Sequence, residues 1–106
     1  MGESVGEFEQ LILLALIRLG DDAYGVSIRD TLRERAGRDV SFGAIYSTLR
    51  RLEAKGLVRS TLGDPEPVRG GRAKKLVAPT ARGRAAVTEA QRAFGRMAEG
   101  LKGVQH

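Results

Sequence analysis

Cysteine and tryptophan are absent from this 106-residue chain, and histidine occurs once, as His106 at the last position. Without a thiol there is no disulfide, no thiolate nucleophile and no thiolate metal site. With a single terminal histidine there is no Ser/His/Asp set and no HExxH motif, and GxSxG is missing as well. A non-enzyme that carries neither metal nor cofactor is therefore expected. The longest unbroken apolar run, LILLALI at residues 11–17, falls well short of the ~20 residues that cross a bilayer. The opening MGESVGEFEQ bears acids where a secretory signal bears basic residues. No membrane partner is expected, and the expected location is cytoplasmic.

Acid is also missing, but only locally. Residues 1–66 hold 9 basic and 11 acidic side chains, a net of −2, whereas residues 67–106 hold 9 and 2, a net of +7. Between Pro67 and Thr88 there is no Asp or Glu at all. So one-sided a distribution suits a surface that meets phosphate. At this length the chain supports one domain with one core.

What is present is strongly patterned. A first helix is predicted over 6–19, closed by Gly20. Its LILLALI segment has no polar side, and a helix apolar all round is buried on more than one face. In so small a domain that implies one face on the core and another against a second chain. Asp21 and Asp22 offer an N-cap to a second helix over 23–35, ended by Gly37. Tyr24, Ile28 and Leu32 form its apolar stripe, with Arg29, Asp30, Arg33 and Glu34 outside. Val40 is expected in a brief extended stretch.

Ser41 caps a third helix over 42–55, which Gly56 terminates. Ile45, Leu49 and Leu52 should face the core. The opposite face presents Gly43, Tyr46, Ser47, Arg50 and Ala54, with Arg51 at its edge. A strand follows over 57–62, then turn chemistry at 63–67 (GDPEP), then a return strand over 72–78. Thr80 caps a last helix from 81 to beyond Met97. There Val87, Ala90, Phe94, Met97, Leu101 and Val104 recur at 3-4-3-4-3 spacing, a heptad seam that asks for a partner helix. Gly95, Gly100 and Gly103 each cost up to ~1 kcal/mol relative to alanine, so the seam will not hold alone. Beyond Gly100 the helix should fray. Phe8, Leu11, Ile12 and Ala15 of the first helix and Val87, Ala90, Phe94, Met97 and Leu101 of the last are the expected dimer interface.

The fold class expected is mainly α with a small β-hairpin: a winged helix-turn-helix over 1–79 and a C-terminal dimerisation helix over 80–106, in one compact unit. A DNA major groove is about 12 Å wide and admits one helix, whose N-terminal residues reach base edges first. Gly43 and Ala44 are small enough for close approach, Tyr46 and Ser47 supply hydrogen bonds, and Arg50 or Arg51 supplies charge. Arg69-Gly70-Gly71-Arg72-Ala73-Lys74-Lys75 then places four cations around two glycines, a loop able to follow a sugar-phosphate chain. Double-stranded DNA is the partner this layout favours. The competing class is a winged helix whose basic face docks an acidic protein.

These residues resemble the PadR-like transcriptional regulators. The resemblance is carried by Gly6-Glu7-Phe8-Glu9 with LILLALIRLG, Tyr24-Gly25, and Val40-Ser41 with Gly43-Ala44-Ile45-Tyr46 and Leu49. It continues through Arg51-Leu52-Glu53, Lys55-Gly56-Leu57-Val58, Gly70-Gly71-Arg72 with Lys74-Lys75, and Thr80 with Gly83-Arg84. It implies a homodimeric repressor bound to a palindromic operator, often released by a small aromatic or drug-like effector. By motif match, the Tyr24 region, Ser41, Gly43, Tyr46 and the wing cations would contact DNA. The second wing strand departs from the family pattern: it reads Leu76-Val77-Ala78-Pro79 where tyrosines and leucine are usual, and Pro79 should end it early.

Overall fold

In the computed structural model, which describes residues 4–65 and 73–104, the chain is mainly helical with a single hairpin. Its order is α1 (Glu7–Leu19), a 3-10 turn (Gly20–Asp22), α2 (Gly25–Ala36), α3 (Phe42–Ala54), β1 (Val58–Pro65), β2 (Ala73–Pro79) and α4 (Ala81–Ala98). The two strands form an antiparallel pair. The fold class is the one expected.

Helix α1 is the hub. It packs against α2, α3, α4 and β2, and Ile12, Leu13, Ala15 and Leu16 are buried in the process. Ile28, Leu32, Ile45, Leu49, Leu52, Leu57, Val77 and Val87 close around them. This corrects the expectation that so small a chain could not surround an all-apolar helix. Three other helices and a hairpin are enough. Ile12, Ala15 and Val87 therefore belong to the protomer's own core rather than to a dimer interface, and Phe8 and Leu11 are half-buried against that core. Within the apolar run only Leu14 is exposed, at 39%.

The start of α2 also differs. Asp21 and Asp22 are taken up in the 3-10 turn, and the capping residue is Tyr24. The Ser27 hydroxyl accepts the Tyr24 N–H at 3.0 Å, which sets the first turn two residues later than the acids would. Tyr24 thus leaves the apolar stripe, while Ile28 and Leu32 stay buried. On the other side of this junction the Ala23 carbonyl accepts the Val77 N–H at 2.9 Å, fastening β2 to the entry of α2.

Strand β1 runs on to Pro65, through part of the stretch expected to turn. Leu62 pairs with Lys75 and Pro65 with Ala73, so Gly63 and Asp64 face Lys74 alone. Two residues against one is a β-bulge, which uses the same loosely constrained residues as a turn. Pro79 does not shorten β2 either: it pairs with Val58. As the last residue of the strand it has no ladder donor to lose, because the Thr80 N–H makes the next bond, to Leu57 O at 3.0 Å.

The Thr80 hydroxyl accepts the Gly83 N–H at 3.1 Å and donates to Gly56 O at 2.8 Å. It starts α4 and ties it to the end of α3. From there the helix leaves the core: Gly83, Ala86 and Val87 are its buried residues, while Phe94 and Met97 are 57% and 78% exposed. It ends at Ala98, and Gly100 and Gly103 take φ values of 80° and 78°. Leu101 and Val104 therefore lie outside the helix, and the predicted seam stops at Met97.

Candidate nucleic-acid interface

Helix α3 is seated by its apolar stripe. Ile45, Leu49 and Leu52 are buried, Thr48 beside them is also buried, and the Ser41 hydroxyl holds the first turn by accepting the Ala44 N–H at 3.1 Å. That seating turns Gly43, Ala44, Tyr46 and Arg50 to solvent, with Ser47 half-exposed beside them. No acidic residue occupies the first turn, so the positive end of the helix dipole is left uncompensated there.

Two features of this face escaped the sequence reading. Phe42 stacks on Tyr46, with ring centroids 6.2 Å apart and planes at 21°, and the Arg29 guanidinium lies 4.9 Å from the Phe42 centroid. Sequence pattern puts Arg29 outside the apolar stripe of α2 and Phe42 at the start of a helix. The i, i+4 spacing of Phe42 and Tyr46 was the available signal for the aromatic pair. For Arg29 there was none, because its position depends on how α2 meets α3.

Residues Tyr24 and Gly25, at the entry of α2, touch both α3 and the hairpin. The Tyr46 hydroxyl lies over Gly25 so closely that a Cβ there would sit 2.3 Å from the oxygen. Across the junction, Lys74 Nζ of β2 is 4.3 Å from the Tyr24 ring centroid, a cation–π contact. Gly25, Tyr46, Arg50, Ser60 and Lys75 line a cleft between α3 and the hairpin, with Glu53 its one carboxylate among the described residues. The structure thus brings together Tyr24, Ser41, Gly43, Ala44, Tyr46, Ser47, Arg50, Lys74 and Lys75. Arg69, Gly70, Gly71 and Arg72 lie outside the described residues.

Arg51 stands apart from this group. Its Nη2 donates to Thr48 Oγ1 at 3.2 Å, and its Nε is 3.7 Å from Glu9 Oε2, so it leans toward α1 rather than the cleft. Burial alone would raise the Glu9 carboxyl. The Gly6 N–H bond and the Lys55 and Arg51 cations outweigh that and hold it below the usual carboxylate range.

The site can be set against known proteins. A family model described as the transcriptional regulator PadR-like family matches residues 13–89. A transcriptional regulator of Mycobacterium tuberculosis is 44% identical over 71 residues, 67% of this chain and 63% of that protein, so the match spans less than two thirds of the relative's length. Among solved structures, a PadR family transcription regulator from Clostridium difficile superposes with a TM-score of 0.72 at 28% identity, covering 87% of this chain and 91% of that one. A PadR family regulator from Eggerthella lenta gives 0.65 at 25% identity, covering 89% and 81%.

Proposed function

This chain belongs to the PadR-like family of transcriptional regulators, and from that premise we propose that it is a homodimeric repressor reading a palindromic operator. Transcriptional regulation by DNA binding comes with the family. The geometry supports a particular manner of binding. Helix α3 enters the major groove by its first turns, with Gly43 and Ala44 closest and Tyr46, Ser47 and Arg50 at base edges or phosphate. Lys74 and Lys75 meet the adjoining backbone, and the basic residues that precede them in sequence, Arg69 and Arg72 with Gly70 and Gly71, add to that contact in this proposal. The observation that carries this is one contiguous face: half-buried Tyr24 and buried Gly25 at its base carry Lys74 and Tyr46, and Tyr46, Arg50 and Lys75 are exposed on it.

A second copy completes the reader. Residues 1–79 form the DNA-reading part and residues 80–106 the pairing part of one compact unit. The exposed Phe94, Met97 and Leu101, together with half-buried Ala90, present an apolar surface that a protomer alone leaves in water, and pairing removes it. Two such protomers place their α3 helices about 34 Å apart, one turn of the duplex. Release by a small aromatic or drug-like effector belongs to the same proposal. A groove lined by Ser4, Val5, Gln10, Ala90 and Phe94 borders the pairing surface and is where such a compound would act.

The test is selection of bound sequences from a random DNA pool, followed by salt titration of the selected duplex. Replacing Arg69 and Arg72 by alanine should flatten the log K against log salt slope by about 0.9 per contact. Recovery of no palindrome, or binding of selected and irrelevant duplexes alike by a species sedimenting as a monomer, would overturn the proposal and favour an acidic protein partner.

A further inference from the structure

We propose that Glu9 is a positioning residue for DNA recognition: from the first turn of α1 its buried carboxylate grips the end of α3 through Lys55 and Arg51, fixing that helix's orientation and keeping both cations off phosphate. The inference rests on α3 being the helix that reads DNA.

Glu9 is 7% exposed. One carboxylate oxygen accepts the Gly6 N–H at 2.9 Å. Lys55 Nζ donates to both oxygens, at 3.0 and 3.1 Å, and to Ser4 O at 3.2 Å. Arg51 Nε stands 3.7 Å away on the same side. Lys55 is the C-cap of α3 and Glu9 sits in the first turn of α1, so each charge occupies the helix end its backbone dipole favours. A second strap ties the other end of α3: Glu7 pairs with Arg38, just ahead of the Ser41 cap. Glu7 is largely in water and that pair is weakly held. The Glu9 bridge is the firm one.

Its consequence is a division of labour among the cations of α3. A cation already neutralised by a carboxylate displaces few counterions when it nears DNA. Arg50, by contrast, faces the cleft with Tyr46 and Lys75 and has no hydrogen-bond or ion-pair partner among the described residues. Arg50 is therefore the arginine of α3 that meets the duplex. Arg51 and Lys55 work inward, as the handle by which α1 holds the reading helix.

Fluorescence anisotropy over a KCl series, with the selected operator and a random duplex of equal length, tests this on the full chain. Arg50→Ala should lower the salt slope by about 0.9, and Arg51→Ala should leave it unchanged. Glu9→Gln keeps the shape and removes the charge. With helical circular dichroism and a cooperative melt retained, it should weaken operator binding roughly tenfold, the scale of one lost base contact. Random-duplex binding should hold or rise, because two cations are freed. Should Glu9→Gln not fold, Lys55→Met breaks the same bridge from its more exposed side and should narrow the operator-to-random ratio likewise. An unchanged ratio in a folded variant, or an Arg51→Ala slope loss equal to that of Arg50→Ala, overturns the inference alone. A wild-type protein that ignored every duplex would overturn the DNA reading and this inference with it.

Discussion

Gly25→Ala is a small change whose effect on stability and on DNA binding should diverge. An alanine Cβ at this position would lie 2.3 Å from the Tyr46 hydroxyl oxygen and 3.0 Å from Cζ. Real Cβ atoms do not approach so closely, so something must move. The obstacle is the far end of a side chain that is 42% exposed, not backbone, so the tyrosine can turn aside. A rotation of some 10–30° from its rotamer costs about 0.5–1.5 kcal/mol. Alanine regains up to ~1 kcal/mol over glycine in a helix. The net change in folding stability should lie within about 1 kcal/mol.

Binding should respond differently. Tyr46 would have its hydroxyl displaced by an ångström or so and its stacking on Phe42 disturbed. A misplaced hydrogen-bonding group in the groove costs about 1–3 kcal/mol, roughly 5- to 150-fold in operator affinity. Chemical denaturation gives the first quantity and anisotropy with the selected operator the second. A double-mutant cycle identifies the cause. In a Tyr46→Ala background the obstructing atoms are gone, so Gly25→Ala should then change operator affinity little. Full additivity of the two losses, or wild-type operator affinity in Gly25→Ala, would refute the reasoning that Gly25 is required because Tyr46 lies over it.

Other perturbations test other parts of the structure. The depressed Glu9 carboxyl binds its proton less readily folded than unfolded, so its stabilisation is complete above the ordinary value of about 4.5 and fades as pH falls through the lower folded value; Glu9→Gln should cost about 2 kcal/mol at neutral pH, between an exposed and a buried pair, and melting curves recorded from pH 7 to 3 should lose part of their acid sensitivity. Gly83→Ala would set a Cβ 2.0 Å from the Leu57 carbonyl oxygen, forcing α4 off the hairpin; a loss of about 3 kcal/mol, read as a fall in melting temperature of 10 °C or more, is expected, and an unchanged melt would mean that α4 packs elsewhere. Phe94→Glu with Met97→Glu should convert a dimer to a monomer in sedimentation velocity while leaving helical content unchanged, since Met97 is 78% exposed in the protomer; dimers that survive would place the pairing surface elsewhere.

What could be read in advance was what is decided locally. Ser41 and Thr80 cap α3 and α4 where their hydroxyls precede apolar periodic runs, because an N-cap needs only the donors of the next turn. The stripe of Ile45, Leu49 and Leu52 follows from helix geometry alone. The start of α2 did not follow, because Asp21, Asp22 and Ser27 all compete to satisfy it, and the winner is settled together with the bond from Val77 to Ala23. Likewise LILLALI announces burial on several sides without saying by what; that the protomer itself encloses Ile12 and Ala15 depends on how three helices converge. Gly63 and Asp64 are loose enough for a turn or a bulge, and only the pairing of Leu62 with Lys75 and Pro65 with Ala73 selects the bulge.

The candidate nucleic-acid surface is less separable than a helix followed by a loop suggests. α3 and the hairpin are not independent modules, because both rest on the first residues of α2. Tyr46 closes on Gly25 and Lys74 lies on Tyr24, while the other end of α3 is held from α1 through Lys55 and Glu9. α1 in turn meets α4, with Gln91 Nε2 donating to Gln10 Oε1 at 3.0 Å, next in sequence to Glu9. A shift of α4 against α1 therefore acts at the residue beside the carboxylate that anchors α3. If α4 pairs with a second copy and α3 reads DNA, as proposed, this chain of packed and bonded groups is the contiguous route that joins the two. Two short, inconspicuous stretches, Tyr24-Gly25 and Glu9-Gln10, thus sit where α2 and α1 bear on α3.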